Sequence, residues 1–166
     1  MLTDQPDIRF IFVGEGSGRE LLQTRASEGQ LTNVQFIPFQ PRERLPDVLA
    51  SADVSLVILR QGIGAASLPS KVFSIMASGR PMIVSVEEES ETCRLVKKAQ
   101  AGITIPPENP GKLVEAILTL KKEKELCHSL GVNGRKWAEQ NHSPQNAVAQ
   151  FEELLQNAVE GHQSRK

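Results

Sequence analysis

The sequence is poor in the residues that mark several whole classes of protein. It has 2 cysteines in 166 residues, Cys93 and Cys127. They lie far apart with no Cys or His at ligand spacing, which argues against a zinc site or a disulfide framework. An excess of one charge is missing too: 19 Lys and Arg stand against 20 Asp and Glu, a formal net charge of −1. A nucleic-acid-binding surface needs a basic excess that this balance does not supply. No apolar run approaches the roughly 20 residues of a membrane span. The first seven residues have neither the basic nor the apolar region of a secretory signal, so the expected compartment is the cytoplasm. Repeats, low-complexity tracts and an interdomain linker are absent as well.

What is present is an alternation of short apolar runs with helical patterns. The length predicts one domain that buries roughly 70% of the surface of the unfolded chain. Residues 8–13 and 34–37 read as strands, the second stopped by Pro38. The near-continuous apolar run at 54–59 reads as a strand covered on both faces, and 81–86 as another buried strand. Residues 102–105 form a short fifth. Helical patterns fill 19–28, 41–52, 70–78, 88–100, 110–124 and 125–141. Gly79 is placed to cap the third of these. Ser143 and Pro144 are placed to start a last helix with apolar positions Phe151, Leu154, Leu155 and Val159. Strict alternation of this kind predicts an α/β fold with a doubly wound, mostly parallel, Rossmann-like sheet between two helical layers. Residues 8–160 are expected to form it, with 1–7 a partial start and 161–166 a frayed tail.

In such sheets ligands bind beyond the carboxyl ends of the strands, so the loops after the first three strands carry the search. The first, Gly14-Glu15-Gly16-Ser17-Gly18, allows close backbone approach to a ligand ahead of a helix N-terminus. Its spacing is not that of a dinucleotide fingerprint: Arg19 stands where the third glycine would be, and no acidic residue ends the second strand. A tight strand-to-helix turn and direct phosphate binding both remain open. The second loop, around Phe36, Pro38 and Phe39, is either a buried strand end or an apolar slot for a flat ring. The third runs from Arg60 through Gly62, Gly64, Ser67 and Leu68 to Ser70 and Lys71, with Ser70 as the expected N-cap. A lysine in a first helical turn opposes the helix dipole, and a phosphate between the two would remove the conflict.

Other candidate chemistries fail on their residues. His128, His142 and His162 are scattered and read as solvated. No GxSxG elbow accompanies Ser67 or Ser70, which argues against serine hydrolysis. Trp137 reads as a helix-packing residue. The run Glu87-Glu88-Glu89-Ser90-Glu91 is either a solvated helix start or a carboxylate group at the ligand edge of the sheet.

The order FxFVGxG, VxFxPF, Ala-Ser-Ala-Asp53-Val, then Leu68-Pro-Ser-Lys-Val-Phe-Ser-Ile-Met-Ala-Ser-Gly-Arg-Pro-Met-Ile-Val84, resembles a family-4-type glycosyltransferase of the GT-B fold, in its C-terminal half. The segment from Ala101 to Pro110 and the following Leu-Val-Glu-Ala-Ile fit the same family. The version here resembles the branch that builds exopolysaccharides of the colanic-acid type. The resemblance implies a domain that holds the nucleotide-diphosphate sugar donor of a retaining transferase acting on a glycan or lipid-linked acceptor. It implies that Gly14 and Gly16 border the nucleotide and that Pro38 and Phe39 flank the base. Gly64, Ser67, Leu68, Ser70 and Lys71 would hold the diphosphate, with Glu87 and Glu88 near the donor sugar. No cofactor or metal is expected, in keeping with the lack of a DxD-type acidic pair.

Two departures accompany the resemblance. The family pattern has two glutamates separated by seven residues, and Ala66 and Ser74 stand at those positions. Ser74 keeps a hydroxyl for a ribose, and no catalytic residue is singled out. Nor does the sequence hold an N-terminal acceptor domain, or the family's strand and basic pair ahead of residue 8. The expected partners are therefore that domain, a membrane surface for the full enzyme, and a second copy through open strand edges. The competing expectation is a non-catalytic nucleotide-binding or interaction module that kept the fold.

Overall fold

The structure, a computed structural model, describes residues 2, 5–62, 68–143, 146, 148, 151, 152 and 154–157. Its contacts divide the chain into two compact units, Met1–Val48 and Leu49–Lys166. The sequence reading draws no boundary there.

The first unit is a β-α-β element. Strand β1 (Phe10–Val13), helix α1 (Arg19–Glu28) and strand β2 (Val34–Ile37) are followed by a 3-10 turn at Arg42–Arg44 and the start of helix α2 (Leu45–Ala50). The two strands pair in parallel, Phe10 beside Val34 through Val13 beside Ile37. Phe12 and Phe36, partners in this register, stack with ring centroids 5.2 Å apart. The run at 8–13 is apolar enough to read as a buried strand, yet Ile11 is 51% exposed and Phe12 and Val13 are exposed too. Among the described residues β1 bonds to β2 on one edge and to no other strand. Among the described residues of this unit only Leu2 is buried.

The second unit carries the core. Strands β3 (Ser55–Ile58), β4 (Met82–Ser85) and β5 (Gly102–Ile105) form a parallel sheet in the order β3-β4-β5. Helices α3 (Lys71–Ser78), α4 (Glu91–Ala99), α5 (Pro110–Lys122) and α6 (Lys124–Asn141) surround it. The central strand is buried at every position, as a strand with neighbours on both edges and both faces must be. Side-chain alternation divides its burial between two clusters. Met82, Val84 and Val86 pack with Val72, Ile75 and Met76 of α3, Cys93 and Val96 of α4, and Ala138 of α6. Ile83 packs with Ala116 and Leu120 of α5 and with Leu130. The unit is thus a three-layer α/β/α sandwich of Rossmann-like type. The expectation that 54–59 is covered on both faces holds for Val57, which is fully buried, and fails for Ile58, which is 51% exposed. Among the described residues strand β3 has a partner, β4, on one edge only.

Helix ends follow their local chemistry. Gly79 takes the left-handed conformation (φ 71°) at the end of α3, as expected. Ser90 caps α4 by accepting from the Cys93 N–H at 3.1 Å, and Asn109 caps α5 by accepting from the Lys112 N–H at 3.0 Å. Ser143 accepts from the Asn146 N–H at 3.2 Å, the bond expected of an N-cap. Pro144 and residues 161–166 lie outside the described residues. Trp137 stacks on Phe73 across α6 and α3, in agreement with its reading as a packing residue.

Candidate functional site

Each unit presents loops at the carboxyl ends of its strands, and each set is built differently. In the first unit the turn after β1 depends on Gly14, whose φ of +121° no side chain tolerates well, although a Cβ there would meet nothing within 4 Å. Gly16 has equal space and no such backbone demand. Gly14→Ala is therefore expected to lower stability by about 1–3 kcal/mol through backbone strain alone. Gly16→Ala should leave the urea midpoint in place. Loss of stability in both would show that the motif is only a tight turn. Beyond β2, Pro38 is exposed and Phe39 is 72% exposed. Phe39 is thus a free aromatic surface and not part of a buried strand end.

Arg19 organises this end of the unit. Its guanidinium donates to the Gly14 carbonyl and, at 3.0 Å, to the Ile37 carbonyl, so one side chain ties the carboxyl ends of both strands. It also pairs with Glu15 at 3.2 Å and lies 6.0 Å from the Phe36 ring centroid. The residue that breaks the dinucleotide fingerprint therefore has a positive use. Sequence reasoning overlooked it, although the signal was available: like Lys71, it is a cation in the first turn of a helix.

In the second unit the loop after β3 leads into α3. Gly64, Ala66 and Ser67, three of the positions singled out by sequence, lie outside the described residues; Leu68, Ser70, Lys71 and Ser74 lie within them. Leu68, Ser70 and Lys71 are exposed and Ser74, one turn into the helix, is half-buried. Ser70 does not cap the helix as expected. Its backbone is already helical (φ −57°, ψ −28°), so its hydroxyl cannot reach the amides of the first turn. The Val72 and Phe73 amides bond instead to the carbonyls of Pro69 and Ser70, at 3.0 and 3.2 Å. Among the described residues Lys71 has no carboxylate partner and the Ser70 hydroxyl no hydrogen bond. Among the described residues, then, an ammonium and a hydroxyl without partners lie exposed at the positive end of a helix.

The acidic run after β4 splits. Glu88 turns away to Lys97 of α4, at 2.8 Å, and this bond holds its carboxyl below the usual range while raising the Lys97 ammonium. Glu91 pairs with Arg94 at 2.7 Å. Both pairs are exposed and screened, as on any solvated helix start. Glu87 behaves otherwise: its Oε1 accepts from the Gly62 N–H at 2.5 Å, and its Oε2 is buried. His128 and His142 are exposed, as read from sequence, although His142 stacks on Phe73 at 3.9 Å. No group of His, Cys, Asp or Glu among the described residues could hold a metal ion.

The parallel α/β/α sandwich of the second unit defines a Rossmann-like class of protein, in which ligands are held beyond the carboxyl ends of the strands. Comparison makes the class specific. Residues 1–137 match the family model described as glycosyl transferases group 1, and the chain belongs to that family. It is 31% identical over 151 residues to WcaI of Escherichia coli K12, named for glycosyl transfer in colanic acid biosynthesis, covering 90% of this chain and 36% of that protein. Among solved structures it superposes on HepE of Anabaena, in complex with UDP-glucose, with a TM-score of 0.75 at 17% identity, over 94% of this chain and 43% of that one. The C-terminal domain of a group 1 glycosyl transferase, LpcC of Francisella tularensis, gives 0.70 at 16% identity, over 86% of this chain and 74% of that one. The fold is that of GT-B glycosyltransferases. The chain spans about a third of the length of the curated relatives it matches.

Proposed function

We propose that this chain binds the nucleoside-diphosphate sugar donor of a glycosyltransferase, and that transfer to a glycan or lipid-linked acceptor requires an acceptor-binding domain outside these 166 residues. The observation that carries the reading is Lys71, exposed at the first position of α3, next to the Ser70 hydroxyl, both without a partner among the described residues. A cation there opposes the helix dipole unless an anion sits with it. The leaving nucleoside diphosphate gains negative charge as the anomeric bond breaks, and donors already aimed at it stabilise that charge selectively. Ser74 supplies a hydroxyl one turn along the helix, suited to a ribose. The family membership and the likeness to a chain that holds UDP-glucose support the same ligand class. In the first unit the open turn at Gly14 and Gly16 and the exposed Pro38 and Phe39 suit nucleoside recognition. The residues named here need no metal.

Titration with UDP, GDP, UDP-glucose and GDP-mannose tests the reading. At ten times its dissociation constant a true ligand stabilises the folded state by about 1.4 kcal/mol and raises Tm by roughly 3–5 °C. If none of the four moves Tm at millimolar concentration, donor binding by this chain is refuted.

A further inference from the structure

We propose that the first unit carries a second binding site, in the cleft between α1 and the amino end of β2, and that it holds a neutral saccharide. None of its residues is among those assigned to the nucleotide or the diphosphate.

The cleft exists because α1 departs from the rule for a helix laid over parallel strands. Such a helix turns an apolar stripe onto the sheet and buries it. None of the 10 residues of α1 is buried. Gln23, Ala26, Ser27 and Gln30 follow the spacing of one helical face, and that face borders β2 across a concavity of about 400 Å³. The floor is apolar: Leu31, then Val34 and Phe36, which alternate onto one side of β2. Stacking on Phe12 at 5.2 Å holds the Phe36 ring in place. Where a core would set leucines against Val34 and Phe36, the chain sets two amides and a hydroxyl. Polar groups at packing positions weaken a fold, and they mark places where a sequence serves something besides folding.

Gln30 adds an independent observation. At the end of α1 the Leu31 N–H donates to the Ala26 carbonyl at 2.9 Å, and the Gln30 N–H to the Ser27 carbonyl at 3.0 Å. This ending needs one left-handed residue, which is Gln30 at φ +49°, and glycine is the residue that adopts it without strain. Gly29 stands one position earlier, where space is short: a Cβ there would lie 3.1 Å from the Arg25 carbonyl oxygen and 3.3 Å from the Leu31 Cγ. The strained position therefore holds a long amide, and that amide lines the cleft.

The lining decides the ligand. Among the described residues no charged side chain lines the cleft. The carboxyl end of α1, where the helix dipole is negative, lies beside it. Phosphates and carboxylates are excluded on both counts. The side chains of Gln23, Ser27, Gln30 and Thr32 have no partner among the described residues, so four groups that both donate and accept border an apolar floor. A pyranose is the complement of such a surface, with hydroxyls around its rim and C–H groups on its faces. The volume is near the lower end of the roughly 300–1,000 Å³ of ligand clefts, which suits a mono- or disaccharide unit. In a member of a sugar-transferring family, that ligand is a neutral stretch of glycan held apart from the strand ends that carry Gly14 and Phe39.

The test is a titration of the nitrogen-15-labelled chain, followed by NMR. The probes are the methyl glycosides of glucose, galactose, mannose and N-acetylglucosamine, with lactose and cellobiose. At least one should shift the side-chain amides of Gln23 and Gln30 and the backbone amides of Leu31 and Thr32, saturably and at millimolar concentration. Gly14, Gly16 and Phe39 should stay in place. Shifts at those three residues alone would put the sugar at the donor end and overturn the second site. So would the lack of a saturable shift at Gln23 and Gln30 with every sugar of the panel. Two variants separate binding from folding. Gln30→Gly should weaken binding about fivefold to tenfold, the value of one hydrogen bond, while Tm holds or rises as the left-handed strain is relieved. Gln23→Leu keeps the bulk, removes the amide, and should weaken binding by a similar factor without lowering Tm. Unchanged affinity in both variants, or a fall in Tm with Gln30→Gly, would show that the amides serve the fold and would overturn the proposal. Failure of every nucleotide to bind would refute the donor reading alone, since the resonances of Gln23 and Gln30 decide this site independently.

Discussion

Replacing Gly102 with alanine is expected to destabilise the chain by about 3 kcal/mol, at the upper end of what added core volume costs. Gly102 opens β5 directly beside Met82 of β4. A Cβ at Gly102 would lie 2.0 Å from the Met82 carbonyl oxygen and 2.8 Å from its Cγ. The obstacle is backbone, so it cannot step aside as a side-chain tip can. The neighbourhood gives no slack either: Met82 is fully buried, and its N–H is tied to the Ala101 carbonyl at 3.2 Å. The strands must separate where Met82 and the neighbouring Ala101 are fully buried, and the tightly packed interior there resists the shift. The urea midpoint should fall with an unchanged slope, and Tm should drop by roughly 6–12 °C. A drop of less than 2 °C would mean that β5 starts one residue later than Gly102. Gly16, with open space around it, is the built-in contrast.

The elements that sequence reading placed best are those whose cause is local. Helix α1 and strand β2 fall on 19–28 and 34–37, where the pattern put them. Strand β4 is buried throughout because an unbroken apolar run between two other strands has no other stable place. Strand β3 is less buried than its apolar run suggests because burial belongs to the neighbours of a strand, and the same apolar letters suit an edge and a centre. The caps show the same limit. Ser70 and Ser90 are the same residue type ahead of a helix, but ψ is −28° at one and 152° at the other, and only the extended one aims its hydroxyl at the first turn. Lys71 was legible because a charge against a dipole needs only chain order to be noticed. Arg19 was legible by the same rule, but its two carbonyl acceptors lie at the ends of different strands. The bond from Gly62 to Glu87 spans 25 residues and exists only because β3 and β4 adopt one register. No spacing rule in the sequence encodes it.

Lys71→Ala is expected to lower affinity for a nucleoside diphosphate by roughly 10- to 100-fold, the equivalent of one charge-assisted bond to a phosphate oxygen. Affinity for the bare nucleoside should not change. Because the ammonium is exposed and has no partner among the described residues, its removal breaks no hydrogen bond or ion pair there. It also relieves an unfavourable cation–dipole interaction at the start of α3, which adds a few tenths of a kcal/mol to the stability of the unliganded chain. Affinity and stability should therefore move in opposite directions, which a residue with a structural role cannot produce. Lys71→Glu sharpens the contrast: an anion in the first turn favours the helix still more, while repelling the diphosphate. The parent chain should also bind more weakly as salt rises, and the alanine variant should lose part of that dependence. Equal losses of diphosphate and nucleoside affinity, or a fall in Tm with Lys71→Ala, would remove the phosphate from this helix and with it the main support for a donor site on this unit.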